Sequence, residues 1–287
     1  MTTTIDRAGY EVWFKAGRAA DPKRLLSELS QISDAPPYVP ESRTKLESLS
    51  LALSDCYQSN LHGDVSYVVR PLAARQGREV WLEHKGDSGN KLSSEFYVRV
   101  PDADTLIPEG SSKPEAHQLA RIQDLYDMYM ETIGSKAVKI ILVKEIQRLG
   151  GVRIDGKDAY FLPPESYSEW SKVADAAIHA NVSNDVRFYS QKYELNGSAL
   201  DAVKIAIEDE ITGSVDSILD ELSRGQFTDR VTSNRLETLS VLAKKMKRYE
   251  NLFNEGLQAC SYKIKEVVAA MTMTTAATDD DVFETAI

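Results

Sequence analysis

LGGVRIDGKDAYFLPPE, residues Leu149–Glu165, reads as a β-hairpin set against the end of a helix. Gly150 and Gly151 stop the periodic run before it, Asp155-Gly156 is a turn signal in which glycine adopts positive φ without strain, and Pro163-Pro164 close the second strand. In GVRI and DAYFL the side chains alternate, so Val152, Ile154, Ala159 and Phe161 share one face while Arg153 and Tyr160 share the other. Val152 and Ile154 can meet Phe161 and Ala159 across the strands only if Asp155 to Asp158 form a four-residue connection. The expectation is a structural cap whose apolar side closes the core beneath the preceding helix.

That helix, SKAVKIILVKEIQRL, has Ser135 as its cap and turns Val138, Ile141, Leu142, Ile146 and Leu149 toward a core. A helix running straight into a hairpin also has the outline of a recognition helix and its wing. Residues 136–157 carry six bases against Glu145 and Asp155, net +4, and on that reading Lys136, Lys139, Arg153 and Lys157 contact nucleic acid. Against it, Ile140 to Val143 make the helix apolar nearly all round, and its first turn offers no Arg, Asn or Gln to read bases.

Working outward, DPKRLLSELSQI begins a helix with Asp21 as N-cap and Pro22 behind it, and ESRTKLESLSLALSDCY is a second helix, so residues 1–63 read as a helical region. From Asp64 the period changes to two. VSYVVRPL, REVWLEHK and SEFYVRV form a three-stranded antiparallel meander, followed by the loop PDADTLIPEGSSKPE and the helix EAHQLARIQDLYDMYMETI, ended by Gly134. Beyond the hairpin come the helix ESYSEWSKVADAAIHA and the strand DVRFYSQKYEL, which complete an α+β domain over 64–195.

The last hundred residues differ in kind. Leu200, Val203, Ile207, Ile211, Val215, Ile218 and Leu222 recur in steps of 3 or 4, and so do Leu236, Leu239, Ala243, Met246, Tyr249, Phe253, Leu257, Cys260, Ile264 and Val267. Two long helices joined by a short turn fold back as an antiparallel hairpin, here over 196–271. Charge supports the pairing: Asp201 to Glu221 holds seven acids against Lys204, net −6, and Arg230 to Arg248 holds six bases against Glu237, net +5. Tyr262, Val268 and Met271 fall off the seam and are the candidate contacts for a protein partner or a second copy. Residues 272–287 read as a disordered acidic tail.

A net charge of −10 over 287 residues disfavours non-specific binding to nucleic acid or anionic lipid. Cys56 and Cys260 both sit in apolar helical patterns, which argues against a disulfide framework. No window approaches the roughly 18 apolar residues of a membrane span, and a soluble cytoplasmic protein is expected. No phosphate-binding glycine loop, paired-cysteine metal motif, nucleophile elbow or calcium loop is present, so neither cofactor nor metal is expected. His62, Asp64 and His84 flank the meander and are the best placed residues for a hydrolytic site, which ranks third among the readings.

The order VVRPL, a meander, RLGGVR with DAYFLP, a helix, a strand and two long helices ending near KKMKRYENL resembles a family of proteins of no established activity from bacteriophages, actinobacteria and archaea that carry a GGVYFVP-type hairpin. The resemblance spans Val68 to Leu257, and this chain departs from it by inserting RIDGKD. It implies fold and a mobile-element origin, and no catalytic residue. The combined reading is an α+β protein with a small antiparallel sheet and a C-terminal helical hairpin, acting as a non-enzymatic interaction or assembly protein, homo-oligomerisation included.

Overall fold

The computed structural model describes residues 8–58, 65–71, 77–84, 91–99, 106–109, 114–154, 158–224 and 229–281. In chain order the elements are β1 (Ala8–Lys15), β2 (Ala19–Ala20), α1 (Pro22–Ile32), α2 (Lys45–Gln58), β3 (Val65–Pro71), β4 (Gly77–His84), β5 (Lys91–Arg99), β6 (Ile107–Glu109), α3 (Ala116–Met130), β7 (Ile133–Gly134) and α4 (Ser135–Arg148). They continue with β8 (Val152–Ile154), β9 (Ala159–Leu162), α5 (Tyr167–Ala180), β10 (Arg187–Glu194), α6 (Gly197–Ser223), α7 (Asp229–Phe253) and α8 (Gln258–Asp281). The fold is α+β. It divides into two compact units, one built from residues 8–14, 143–172 and 188–281, the other from 15–142 and 173–187, so α4 and α5 contribute to both.

In the first unit the hairpin of the opening stretch adopts the register that alternation demands: Val152 opposite Phe161, Arg153 opposite Tyr160 and Ile154 opposite Ala159. It belongs to a four-stranded sheet in the order β10-β1-β9-β8. β1 corrects the expectation of a purely helical N-terminal region. AGYEVWFK is an alternating strand, and it pairs antiparallel with β9, Tyr10 opposite Leu162 through Trp13 opposite Ala159. A partner some 150 residues away in sequence leaves no local turn signal to reveal it.

The apolar side of the hairpin packs on the C-terminal helices, which corrects the expectation that it closes a core beneath α4: Val152, Ile154 and Phe161 share one core with Val203, Ile207, Ile211, Ile218, Phe253 and Ile264. The seam expected of the helical hairpin is therefore present, with Met246 partly buried against it. The number of helices is not as expected. Asn254 takes a left-handed φ of 52°, the Glu255 N–H reaches back to the Glu250 carbonyl at 3.2 Å, and Gly256 follows, so the second arm ends and the chain folds again as α8. Arg235 with Glu221 at 2.8 Å and Lys245 with Glu210 at 2.5 Å pair α7 with α6, while Lys263 with Asp216 at 2.9 Å pairs α8 with α6. α8 runs to Asp281, which corrects the expectation of a disordered tail from residue 272, since no glycine or proline interrupts the helix; residues 282–287 lie outside those described.

In the second unit α2 and α3 cover a four-stranded antiparallel meander, β3-β4-β5-β6. β6 corrects the reading of 101–115 as loop throughout, and α3 ends at Met130, before the short pair of β2 with β7. Leu49, Leu53 and Cys56 from α2 and Ile122, Tyr126 and Tyr129 from α3 bury against Val80, Phe96 and Val98. Asp21 caps α1 as its position predicts, accepting from Lys23 and Arg24 N–H.

Candidate functional site

At the end of α4 the two glycines turn the backbone sharply. Gly151 N–H bonds the Ile146 carbonyl at 2.7 Å, and Gly150 has φ +81°. The three carbonyls of Leu149, Gly150 and Gly151 lie just past the end of α4, and each finds a donor on α7, Leu149 O accepting from Ser166 Oγ at 2.7 Å as well. Arg248 Nη1 reaches Leu149 O at 2.9 Å, Tyr249 Oη reaches Gly150 O at 2.9 Å and Lys245 Nζ reaches Gly151 O at 2.8 Å. Residues 245, 248 and 249 share one helix face, which is why three consecutive carbonyls can be met at once. Two of the donors are cations at the negative end of α4, a favourable place for them. The positive φ favours glycine at Gly150, and a Cβ there would push Arg248 Nη1 away from the turn.

The clamp divides the bases of α7 by direction. Lys245 points inward, 8% exposed, and burial pulls its pKa down against the opposing pull of Glu210. Arg248 stands at the rim, its Nε 3.4 Å from Glu165. Lys244 and Lys247 are exposed, and with Arg248, Asn251, Leu252, Pro163 and Glu165 they line a groove of about 570 Å³. Lys247 lies 3.4 Å from Glu250, whereas Lys244 makes no ion pair among the described residues. The result is a cationic groove with apolar edges on a chain whose net charge is −10.

The contacts expected from sequence are only partly surface residues. Tyr262 is 71% exposed and Val268 37%, but Met271 is 1% exposed and belongs to the core. The correction follows from the third helix: when α8 folds back, Cys260, Ile264, Val267 and Met271 become its inward stripe. Tyr262 and Val268 are six residues apart, about 120° around a helix, and do not form one patch. Such isolated apolar side chains are ordinary on a protein surface.

Lys136 and Lys139 are exposed on α4 in one unit, and Arg153 is exposed on β8 in the other, 3.5 Å from Asp158; Lys157 lies outside the described residues. The hairpin is not a free wing, because β9 lies between β8 and β1. His62 and Asp64, and the side chain of His84, lie outside what is described, and among the described residues no cluster of metal-binding side chains occurs. Cys56 and Cys260 are buried and form no disulfide, and no described helix is long and apolar enough to cross a membrane.

Sequence reading missed the groove. Its signal was the KKMKRY repeat, which places Lys245, Arg248 and Tyr249 on one face and Lys244 off it, but the partner carbonyls are about a hundred residues away in sequence. Comparison with protein-family models, curated proteins and solved structures finds no match to this chain.

Proposed function

We propose that this chain is a non-enzymatic interaction protein that docks an acidic segment of a protein partner in the groove between the Pro163–Glu165 turn and α7. The observation that carries it is the outward pair Lys244 and Lys247 beside Arg248, held on a backbone that the inward clamp fixes. A rigid array loses little freedom on binding. Screening over roughly 8 Å at physiological ionic strength lets the groove act independently of the acidic charge elsewhere. Leu252 and Pro163 favour a peptide with apolar side chains. Glu165 and Glu250 beside the three cations disfavour a phosphate backbone, which needs an uninterrupted basic track.

The test is fluorescence anisotropy of the full chain with a labelled acidic peptide containing leucines and with a single-stranded oligonucleotide of equal charge. Peptide binding that weakens with salt and disappears in Lys244→Glu/Lys247→Glu, with unchanged thermal unfolding, supports the reading. Oligonucleotide binding that exceeds peptide binding, or a double variant that binds the peptide as well as the parent, overturns it. Light scattering identifies self-association. A mass above 32.0 kDa that reverts in the double variant would make the acidic partner a second copy, whose α6 exposes Asp201, Asp209, Asp216 and Asp220.

A further inference from the structure

In the unit built on the meander, a cavity of about 530 Å³ opens beside the first turn of α4. Arg43 holds one wall. Its Nη1 donates to Thr132 Oγ1 at 3.0 Å and its Nη2 to the carbonyls of Ile133, at 3.2 Å, and Arg18. The guanidinium also lies 5.0 Å from the centre of the Tyr129 ring. All these partners are neutral. Arg18, by contrast, is bridged to Asp55 at 2.8 Å and to Asp185 at 3.1 Å.

Lys136, on the same cavity, likewise makes no ion pair among the described residues. Glu47, the acid among the lining residues, is turned back to cap α2, accepting from Thr44 N–H at 3.2 Å and Thr44 Oγ1 at 3.0 Å. Two cations therefore face one cavity with no carboxylate bonded to either, Glu47 and Asp55 acting on Arg43 only through space. Gly134 lets the guanidinium lie close to the backbone, since a Cβ there would stand 3.2 Å from both Nε and Nη2 of Arg43.

We infer that this cavity binds a small phosphomonoester, its phosphoryl group between Arg43 and Lys136 and its apolar body against Pro40, Leu51 and Ile140. The donor inventory favours phosphoryl over carboxylate. A guanidinium, an ammonium and the hydroxyls of Ser42 and Ser135 exceed what two carboxylate oxygens can accept, and they suit three oxygens carrying between one and two charges. The first N–H groups of α4, which have no intrahelical acceptor, add donors of the same sign. The cavity has the volume of a small-ligand site. Ile140, 48% exposed, supplies apolar surface that the fold itself does not cover.

Isothermal titration of the full chain with phenyl phosphate, inorganic phosphate and benzoate tests this. Phenyl phosphate is expected to bind at one site, more tightly than inorganic phosphate because only it reaches the apolar wall, and more tightly than benzoate because only it uses all the donors. Lys136→Ala should weaken phenyl phosphate about tenfold, the scale of one charge-assisted contact, without changing thermal unfolding. Ile140→Ser should weaken phenyl phosphate and leave inorganic phosphate unchanged. Absence of saturable phenyl phosphate binding, equal binding of benzoate, or undiminished binding in Lys136→Ala would overturn the inference. Arg43→Gln should abolish binding; if that variant does not fold, the exposed Lys136 decides.

Discussion

The hydroxyl of Tyr249 donates to the Gly150 carbonyl at 2.9 Å, and both residues are buried. The bond joins α7 to the glycine turn that launches the hairpin, and the ring packs on Phe161 and Phe253, with centroids 6.1 and 5.6 Å away. Tyr249→Phe keeps the packing and leaves a buried carbonyl unpaired. We expect a loss of about 1–3 kcal/mol, read as a lower urea midpoint at constant m-value. No measurable loss would mean that the carbonyl has found another donor.

Phe161 is fully buried, directly opposite Val152, with Tyr193 at 6.0 Å on its other side. Phe161→Ala should cost about 3–5 kcal/mol in equilibrium unfolding. Gly9, on β1, lies under the same ring with no room for a Cβ, so Gly9→Ala should also destabilise, by overpacking, at about 1–3 kcal/mol. A tolerated Gly9→Ala would show that the ring can move and that β9 is less tightly held than its burial implies.

Met271 and Tyr262 make opposite predictions although the sequence pattern offers both as surface contacts. Met271→Ala removes a side chain from the three-helix core and should cost about 2–5 kcal/mol, while Tyr262→Ser should change stability by less than about 0.5 kcal/mol. Thermal unfolding of the pair separates the core assignment from the contact assignment. Tyr262→Ser should also leave the mass by light scattering unchanged.

Asp185 links acid stability to the second unit. Partial burial alone would raise its pKa, but the Ser183 hydroxyl and the backbone and side-chain donors of Arg18 outweigh that, so the folded carboxyl lies below the ordinary 3.8. A depressed folded value contributes stability that is fully present above the unfolded pKa and is lost as pH falls through the folded one. The parent chain should therefore be more stable than Asp185→Asn near neutrality, with the difference shrinking once pH drops below 3.8. A difference that persisted unchanged into that acid range would rule out the charge as its source.

What could be read from the sequence was whatever depends on neighbours a few residues apart. Strand alternation placed Val152 opposite Phe161, 3-4 spacing picked out the seam of α6 and α7, opposed charge paired Lys245 and Arg235 with an acidic helix, and Asp21 announced a cap. Each rests on a period or a local hydrogen bond, which the chain carries wherever it folds. The tertiary structure decided the rest. β1 acquires its meaning from β9, the helix break at Asn254 turns Met271 from surface to core, and the outward direction of Lys244 follows from Lys245, Arg248 and Tyr249 being drawn to three carbonyls just past the end of α4, about a hundred residues earlier. Arg43 shows the same limit, since its neutral partners at Thr132 and Ile133 and the carboxylates engaged with Arg18 come together only in the fold. A periodic pattern states which residues avoid water; which distant group they meet depends on how the packed elements place them.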